Sequence, residues 1–358
     1  MTYRLAAVGG DVIGPEVTAA ALEVLAAVGE RGGPRFTVEE YPWGAEYHLR
    51  HGRPMPQDAL DRLLGADAVL LGAVGDPRVP DHILVGGIVI RIRQAFDLYV
   101  NLRPVRLLPG VPSPLSGATP ERVDMLVVRE NSEGEYVDLG GRLRQGTPDE
   151  EALQTACFTR RGVERIARYA FELARARGRT LVSVTKSNAL RHSMAFWDEV
   201  VQDVARDFPD VRWESMLADA AALHMVRSPE RFGVVLASNL FGDILSDLGA
   251  ALAGGMGVAA GANLDPTHRR PSMFEPIHGS APDIAGRGVA NPVAAISCLA
   301  LLLDHLGERP WAEAVEQAVA TVLREGAVRT PDLGGRAGTT EVTREIVAAL
   351  AAPAGTRP

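Results

Sequence analysis

The chain is predicted to be an α/β protein built on parallel strands, and two stretches carry that expectation. Residues 4–75 read in succession as strand, glycine turn, helix, strand, helix and strand. That order feeds a parallel sheet with helices packed on its faces. Further on, the apolar run Val234-Val-Leu-Ala237 reads as a buried strand that turns through Asn239 and Gly242 into a helical pattern. At 358 residues the chain has room for about two domains, on a prior of ~150 residues each.

Composition narrows the class. Hydrophobic residues make up 46% and charged residues 23%, as in an ordinary globular protein. A formal charge of −8, from 37 basic and 45 acidic residues, argues against general binding to nucleic acid or to an anionic membrane. It leaves room for a local basic pocket that takes an acidic small molecule. Cys157 and Cys298 are too few for a disulfide framework and suit a reducing compartment. Nothing near Met1 reads as a signal peptide, and no apolar run reaches the ~18 residues of a membrane span. The expected location is the cytoplasm.

The elements follow in order. Arg4-Leu-Ala-Ala-Val8 is a strand, Gly9-Gly-Asp-Val-Ile-Gly14 a turn, and Pro15 opens a helix carrying an Ala/Leu/Val pattern over 17–28. The turn lacks the Gly-x-Gly-x-x-Gly spacing of the dinucleotide fingerprint. Residues 36–41 alternate as a strand, 58–64 form a short helix, and Ala68-Val-Leu-Leu71 is a buried strand ending at Gly72 and Gly75. In such sheets ligands bind beyond the carboxyl ends of the strands, where these glycines fall. A helix gives way to a strand across 88–105, the Pro/Gly/Ser stretch 108–120 is a loop near a domain crossing, and 123–128 is a strand. The polar segment Gly140-Gly-Arg-Leu-Arg-Gln-Gly146 reads as a protruding arm. Helices are expected at 163–177, 196–208 and 219–226, with strands at 181–186 and 212–217 between them. Residues 251–261 are small and suit close packing, 274–292 form a long polar loop, amphipathic helices follow at 292–306 and 311–324, and a last helix spans 342–350.

Several of these elements end in groups with chemistry. Arg93, Arg103 and Arg129 lie at or near strand and helix ends. A guanidinium fork matches a carboxylate, so converging arginines imply a polyanionic small molecule, whereas a single arginine is more often a surface ion-pair partner. Tyr136 follows Arg129 by a short loop, and Lys186 closes an apolar strand, either snorkelling to solvent or held for proton transfer. In Ser238-Asn-Leu-Phe-Gly-Asp-Ile-Leu-Ser-Asp247, Asp243 and Asp247 stand four apart and so project from one helix face. Their repulsion calls for a positive group between them, and a hard divalent cation meets that need. The plainer alternative is a helix-dipole contact at Asp243 and a solvated Asp247. The otherwise apolar segment favours the metal.

Taken together these residues resemble the β-decarboxylating dehydrogenases: isopropylmalate, isocitrate, homoisocitrate and tartrate/D-malate dehydrogenases. The resemblance runs from Gly10-Asp-Val-Ile-Gly-Pro-Glu-Val17 to Thr330-Pro-Asp-Leu-Gly-Gly335. Its most specific motifs are Asn239-Leu-Phe-Gly-Asp-Ile-Leu-Ser-Asp247 and His278-Gly-Ser-Ala-Pro-Asp-Ile-Ala-Gly286. It implies the isopropylmalate/isocitrate dehydrogenase-like fold, two α/β domains with parallel or mixed sheets. Residues 1–102 plus 257–358 would bind cofactor; 103–256 would hold substrate, metal and the dimer contact, with an arm around 137–158. It implies a homodimer with shared sites, a tetramer remaining open. Arg93, Arg103 and Arg129 would hold the substrate carboxylates. Asp243 and Asp247 would bind Mg²⁺ or Mn²⁺ together with Asp219 of the other subunit, and a monovalent cation such as K⁺ stays an open addition. Tyr136 and Lys186, the latter from the other subunit, would form the acid/base pair. Ile13, Glu275, His278, Gly279, Ser280, Ala281, Asp283, Ile284 and Asn291 would contact a nicotinamide dinucleotide. Asp283 favours NAD, because a carboxylate accepts from a free ribose 2′-hydroxyl and repels a 2′-phosphate. NADP-preferring members resemble one another in having lysine and tyrosine where this chain has Asp283 and Ile284.

Pro42-Trp-Gly44, Gly72-Ala-Val-Gly-Asp-Pro-Arg78 and Tyr99-Val-Asn-Leu-Arg-Pro-Val105 look like the tartrate/D-malate branch. The expected reaction is therefore oxidative decarboxylation of a (2R)-2-hydroxy dicarboxylic acid: D-malate to pyruvate and CO₂, with tartrate as a further substrate. Two positions depart from the branch. Gly86 stands where it typically carries Trp, which keeps 3-isopropylmalate or another 3-substituted malate as an alternative. Val12 replaces a glycine of the first turn, and a β-branched residue there is strained if the backbone needs φ > 0. An alternative of another class is a catalytically impaired scaffold acting as a binding protein.

Overall fold

The computed structural model describes residues 2–353. Among them run twelve strands, β1 (Thr2–Gly10), β2 (Arg35–Tyr41), β3 (Ala68–Ala73), β4 (Val100–Arg106), β5 (Asp124–Glu130), β6 (Gly140–Leu143), β7 (Glu151–Gln154), β8 (Leu181–Thr185), β9 (Trp213–Leu217), β10 (Val234–Ala237), β11 (Ala260–Leu264) and β12 (Ser272–Pro276). The chain divides into two compact units. The first takes residues up to Leu98, Pro104–Val123 and the chain from Ala250; the second takes Tyr99–Arg103 and Asp124–Gly249.

In the first unit the strands lie in the order β2–β1–β3–β12–β11. β1 is parallel to β2 and β3, β12 is parallel to β3, and β11 is antiparallel to β12. Every residue of β3 is buried, as befits a strand covered on both faces. The helix Val293–His305 is apolar almost all round and buries nine residues, so it sits within the core rather than on its surface. The β11–β12 hairpin is absent from the sequence-based reading, which takes 251–261 as a packing segment. Ala260, Gly261 and Ala262 carry no β-branched signal, and burial among their neighbours outweighs their weak strand propensity.

The second unit orders β4–β5–β10–β8–β9, with β5, β10, β8 and β9 parallel. The helix Arg160–Arg177 buries Val163, Ile166, Ala167, Ala170, Phe171 and Ala174, one stripe at helical spacing. Thr159 caps its start by accepting from Gly162 N–H at 3.0 Å, and Gly178 closes its end with φ 60°. β6 and β7 form a separate antiparallel pair whose residues are all exposed. This is the arm.

The boundary expected at 103–256 differs from the observed units. Pro104–Val123 and the chain from Ala250 belong to the first unit. Leu107 N–H donates to Val123 O at 2.9 Å, and Ser113 Oγ donates to Leu252 O at 2.7 Å. Gly110 lies so close to Leu323 O that a Cβ there would stand 2.2 Å from it. A Pro/Gly/Ser composition gives no hint of such tethering. No helix among the described residues is long and apolar enough to cross a membrane.

Candidate active site

In the second unit the site grows from one register. Ala237, the last residue of β10, stands beside Arg129 in parallel β5, so the helix Asn239–Leu252 begins next to that guanidinium. Glu135 fixes the helix start: it accepts from Ser238 Oγ at 2.8 Å and from Leu240 N–H at 3.1 Å, satisfying a first-turn donor. Arg129 is only 2% exposed. Its Nε and Nη2 donate to Asn239 Oδ1 at 2.9 and 2.7 Å, and its Nη1 donates to Asp243 Oδ1. A Cβ on Gly242 would lie 2.6 Å from the Arg129 Cβ, so a side chain there would displace the arginine.

Asp243 and Asp247 do share a helix face, and Arg103 stands between them. Its Nη1 lies 3.2 Å from Asp243 Oδ1 and 3.3 Å from Asp247 Oδ1, and it donates to buried Ser246 Oγ at 2.8 Å. Burial raises the Asp247 carboxyl while the charge of Arg103 opposes the shift. Tyr136 donates its O–H to Asp243 Oδ2 at 3.0 Å, with the Arg129 guanidinium 5.4 Å from its ring centre. Burial, then the neighbouring Asp243 charge, pushes the Tyr136 phenol up, so it holds its proton at neutral pH. Lys186 follows β8 directly and donates from Nζ to Asp219 Oδ1 at 2.7 Å. That bond holds the Asp219 carboxyl below its usual range. Within one chain, no three His, Cys, Asp or Glu side chains gather to hold a metal among the described residues.

In the first unit Ile13 and the expected cofactor residues from His278 to Asn291 lie on two neighbouring loops, with Glu275 on β12. Gly10 turns at φ 75°, and Asp11 ties the turn down by accepting from Ala45 N–H at 2.6 Å and Gly75 N–H at 2.9 Å. Val12 takes φ 54°, the left-handed conformation that strains a β-branched side chain. Ile13 N–H donates to Ser280 O at 3.3 Å, joining this turn to the 278–286 loop. There His278 Nδ1 faces Gly279 O at 2.9 Å, which leaves Nε2 as a buried acceptor with no partner. Burial also pushes the imidazole pKa down, so the ring is neutral. Ala281 takes φ 44°, the turn Pro282–Ile284 follows, and Asp283 is exposed at its tip. Asn291 donates to Asp332 at 2.9 Å and accepts from Val293 N–H at 3.0 Å, so its amide braces the loop. Arg93 donates to Glu275 Oε1 at 2.6 Å. The structure thus brings Arg103, Arg129, Tyr136, Asp243 and Asp247 together in one unit, and places Arg93 in the other.

Sequence reasoning passed over Asn239, Glu135, Ser246 and Asp11. Asn239 registers there only as a turn residue, and the remaining three show no periodic signal. Nor does it mark the π-helical turn Gly86–Ile90, where a Cβ on Gly86 would meet nothing within 4 Å.

Both units are α/β, with polar groups collected where parallel strands end, the usual place for an α/β enzyme's site. Comparison with known proteins makes the class specific. Residues 4–348 match the family model described as isocitrate/isopropylmalate dehydrogenase. The chain is 51% identical over 351 residues to a probable tartrate dehydrogenase/decarboxylase of Agrobacterium vitis, covering 98% of each. It is 50% identical over 353 residues to the decarboxylating D-malate dehydrogenase of Escherichia coli K12, covering 96% of this chain and 98% of that one. A 3-isopropylmalate dehydrogenase of Thermobifida fusca is 48% identical over 351 residues, with 98% of each covered. The crystal structure of isocitrate dehydrogenase from Methylococcus capsulatus superposes with TM-score 0.86 at 35% identity, over 97% of this chain and 99% of that one. The chain belongs to the isocitrate/isopropylmalate dehydrogenase family and is a dehydrogenase.

Proposed function

We propose that this chain oxidatively decarboxylates a (2R)-2-hydroxy dicarboxylic acid with NAD and a divalent cation, D-malate being the foremost substrate and tartrate a second. The observation that carries the reading is the convergence of Arg103, Arg129 and Tyr136 on Asp243. Two guanidinium forks suit a dicarboxylate, and holding it in place supplies much of the rate advantage. Lys186 takes the proton of the C2 hydroxyl, and a nicotinamide dinucleotide, when bound, would supply the hydride acceptor for C2. After the β-carboxylate leaves as CO₂, Tyr136 returns a proton to C3, and its raised pKa keeps that proton available. Asp243 and Asp247 present oxygens suited to Mg²⁺ or Mn²⁺, which when bound would polarise the C2 oxygen as a Lewis acid.

For the cofactor, the partnerless His278 Nε2 offers a buried acceptor, and exposed Asp283 offers a carboxylate for a ribose 2′-hydroxyl. NAD is therefore preferred over NADP, and comparable kcat/KM with the two would refute this.

A homodimer completes the site. Asp219, Leu223 and Val226 share one face of the helix Ala218–Arg227, and the two apolar residues are exposed. Ile244, beside Asp243, is 58% exposed. On the arm, alternation sets exposed Leu139, Leu143 and Leu153 on one face. A second copy that covers these surfaces brings its Asp219 and Lys186 to Asp243 and Asp247 of the first.

A panel of D-malate, tartrate, isocitrate and 3-isopropylmalate, followed by NADH and CO₂, decides the substrate. D-malate fastest is the expected result, and faster turnover of 3-isopropylmalate sinks it. The open space at Gly86 favours a second reading, in which the enzyme takes a malate substituted at C3.

A further inference from the structure

We propose that Asn239 is a positioning residue that aims the Arg129 guanidinium without cancelling its charge. This rests on the reading of Arg129 as a substrate-carboxylate ligand and goes one layer behind it. The orientation of the amide is set from both ends. Oδ1 takes two guanidinium donors at 2.9 and 2.7 Å, while Nδ2 donates to Glu133 O at 2.9 Å. Turned over, the NH₂ would face two N–H donors and the oxygen would face a carbonyl, so only one orientation satisfies all four groups. Asn239 is 5% exposed and Arg129 2%, so neither finds ready compensation from water. Gly242 leaves the space through which the arginine stem passes.

A carboxylate at 239 would accept from the same guanidinium edge and bind it more strongly. It would also add a second negative charge to a cation already paired with Asp243, and set an acceptor against Glu133 O. A neutral acceptor fixes the plane of the guanidinium and adds no second negative charge to that of Asp243, which already pairs with Nη1. Nη1 remains the end turned to the helix face that carries Asp243.

The test is a double-mutant cycle with the full-length enzyme and the dicarboxylate turned over fastest in the panel. Asn239→Ala is expected to raise substrate KM about tenfold in the parent enzyme and less than twofold in an Arg129→Ala background, since residues acting through one another are not additive. NAD KM should stay within twofold in each variant. An equal effect in both backgrounds, or no effect in either, overturns the inference. Arg129→Ala alone reports on the underlying reading: unchanged substrate KM there refutes the role of Arg129 itself. Should Asn239→Ala fail to fold, Asn239→Asp carries the test. A rise in substrate KM of at least tenfold supports the need for a neutral acceptor, and parent-like KM overturns it.

Discussion

Tyr136 and Val12 yield the sharpest expectations at the scale of single residues. Tyr136→Phe keeps a ring beside Arg129 and removes the O–H that reaches Asp243. Steady-state kinetics should show kcat lower by roughly 10²-fold with substrate KM within threefold, the size of effect usual for a lost general acid. At position 12 the backbone demands φ 54°. Val12→Gly should relieve about 1–2 kcal/mol of strain and give back roughly half of it as chain entropy, a net gain visible as a small rise in Tm. Local chemistry of this kind was legible beforehand. The shared face of Asp243 and Asp247 follows from helix periodicity alone, and the strain at Val12 from the glycine that the resembled family carries at that position. Asn239 was not legible, because its partners Arg129 and Glu133 reach it only through the register of β5 and β10.

Among elements, the turn between β11 and β12 is joined to the helix Val293–His305 by stacked imidazoles. His268 and His305 lie 4.3 Å apart at 23°, and Phe274 lies 5.7 Å from His305 at 57°. Burial, then the neighbouring imidazole, lowers His305 from its ordinary value to about 4. The folded chain therefore takes up this proton later than the unfolded chain. Stability is complete above pH ~6.5, falls as the unfolded imidazole charges, and levels off near pH 4. After discounting for solvent screening, the loss is on the order of 1–2 kcal/mol. Tm measured between pH 7.5 and 5 should drop less in His305→Phe than in the parent. Equal drops would show that other groups govern this range. Neither histidine stands out in sequence, since their pairing depends on a hairpin formed by small residues without strand signal.

The scale of the whole molecule is where the shared site is tested. Asp219 is bonded to Lys186 in the same chain and stands on an exposed apolar face. If a second copy covers that face, Lys186→Ala and Arg129→Ala variants should each show strongly reduced kcat/KM alone and regain part of the parent activity when refolded together. Absence of recovery, with dimers confirmed by light scattering, would place both residues in the site of one chain. Substrate breadth is tested at Gly86, where the space is open. Gly86→Trp should lower kcat/KM for 3-isopropylmalate at least tenfold relative to D-malate. The α/β class and the arm were legible from strand–helix alternation and from a polar glycine segment. The tethering of Pro104–Val123 to the first unit was not, since it depends on backbone contacts such as Leu107 with Val123.

The π turn Gly86–Ile90 lies between the helices Asp81–Val85 and Arg91–Ala95. A π turn holds one residue more than the α-helical turn it interrupts. Losing one residue there would let a regular ladder run through, and the upstream segment would rotate by about 100° and advance about 1.5 Å relative to Arg93. Every side chain from Asp81 to Val85 would change its aim in a single genetic event, while Arg93 kept its partner Glu275. A point substitution alters one contact. A one-residue deletion here re-aims a whole helical turn at once.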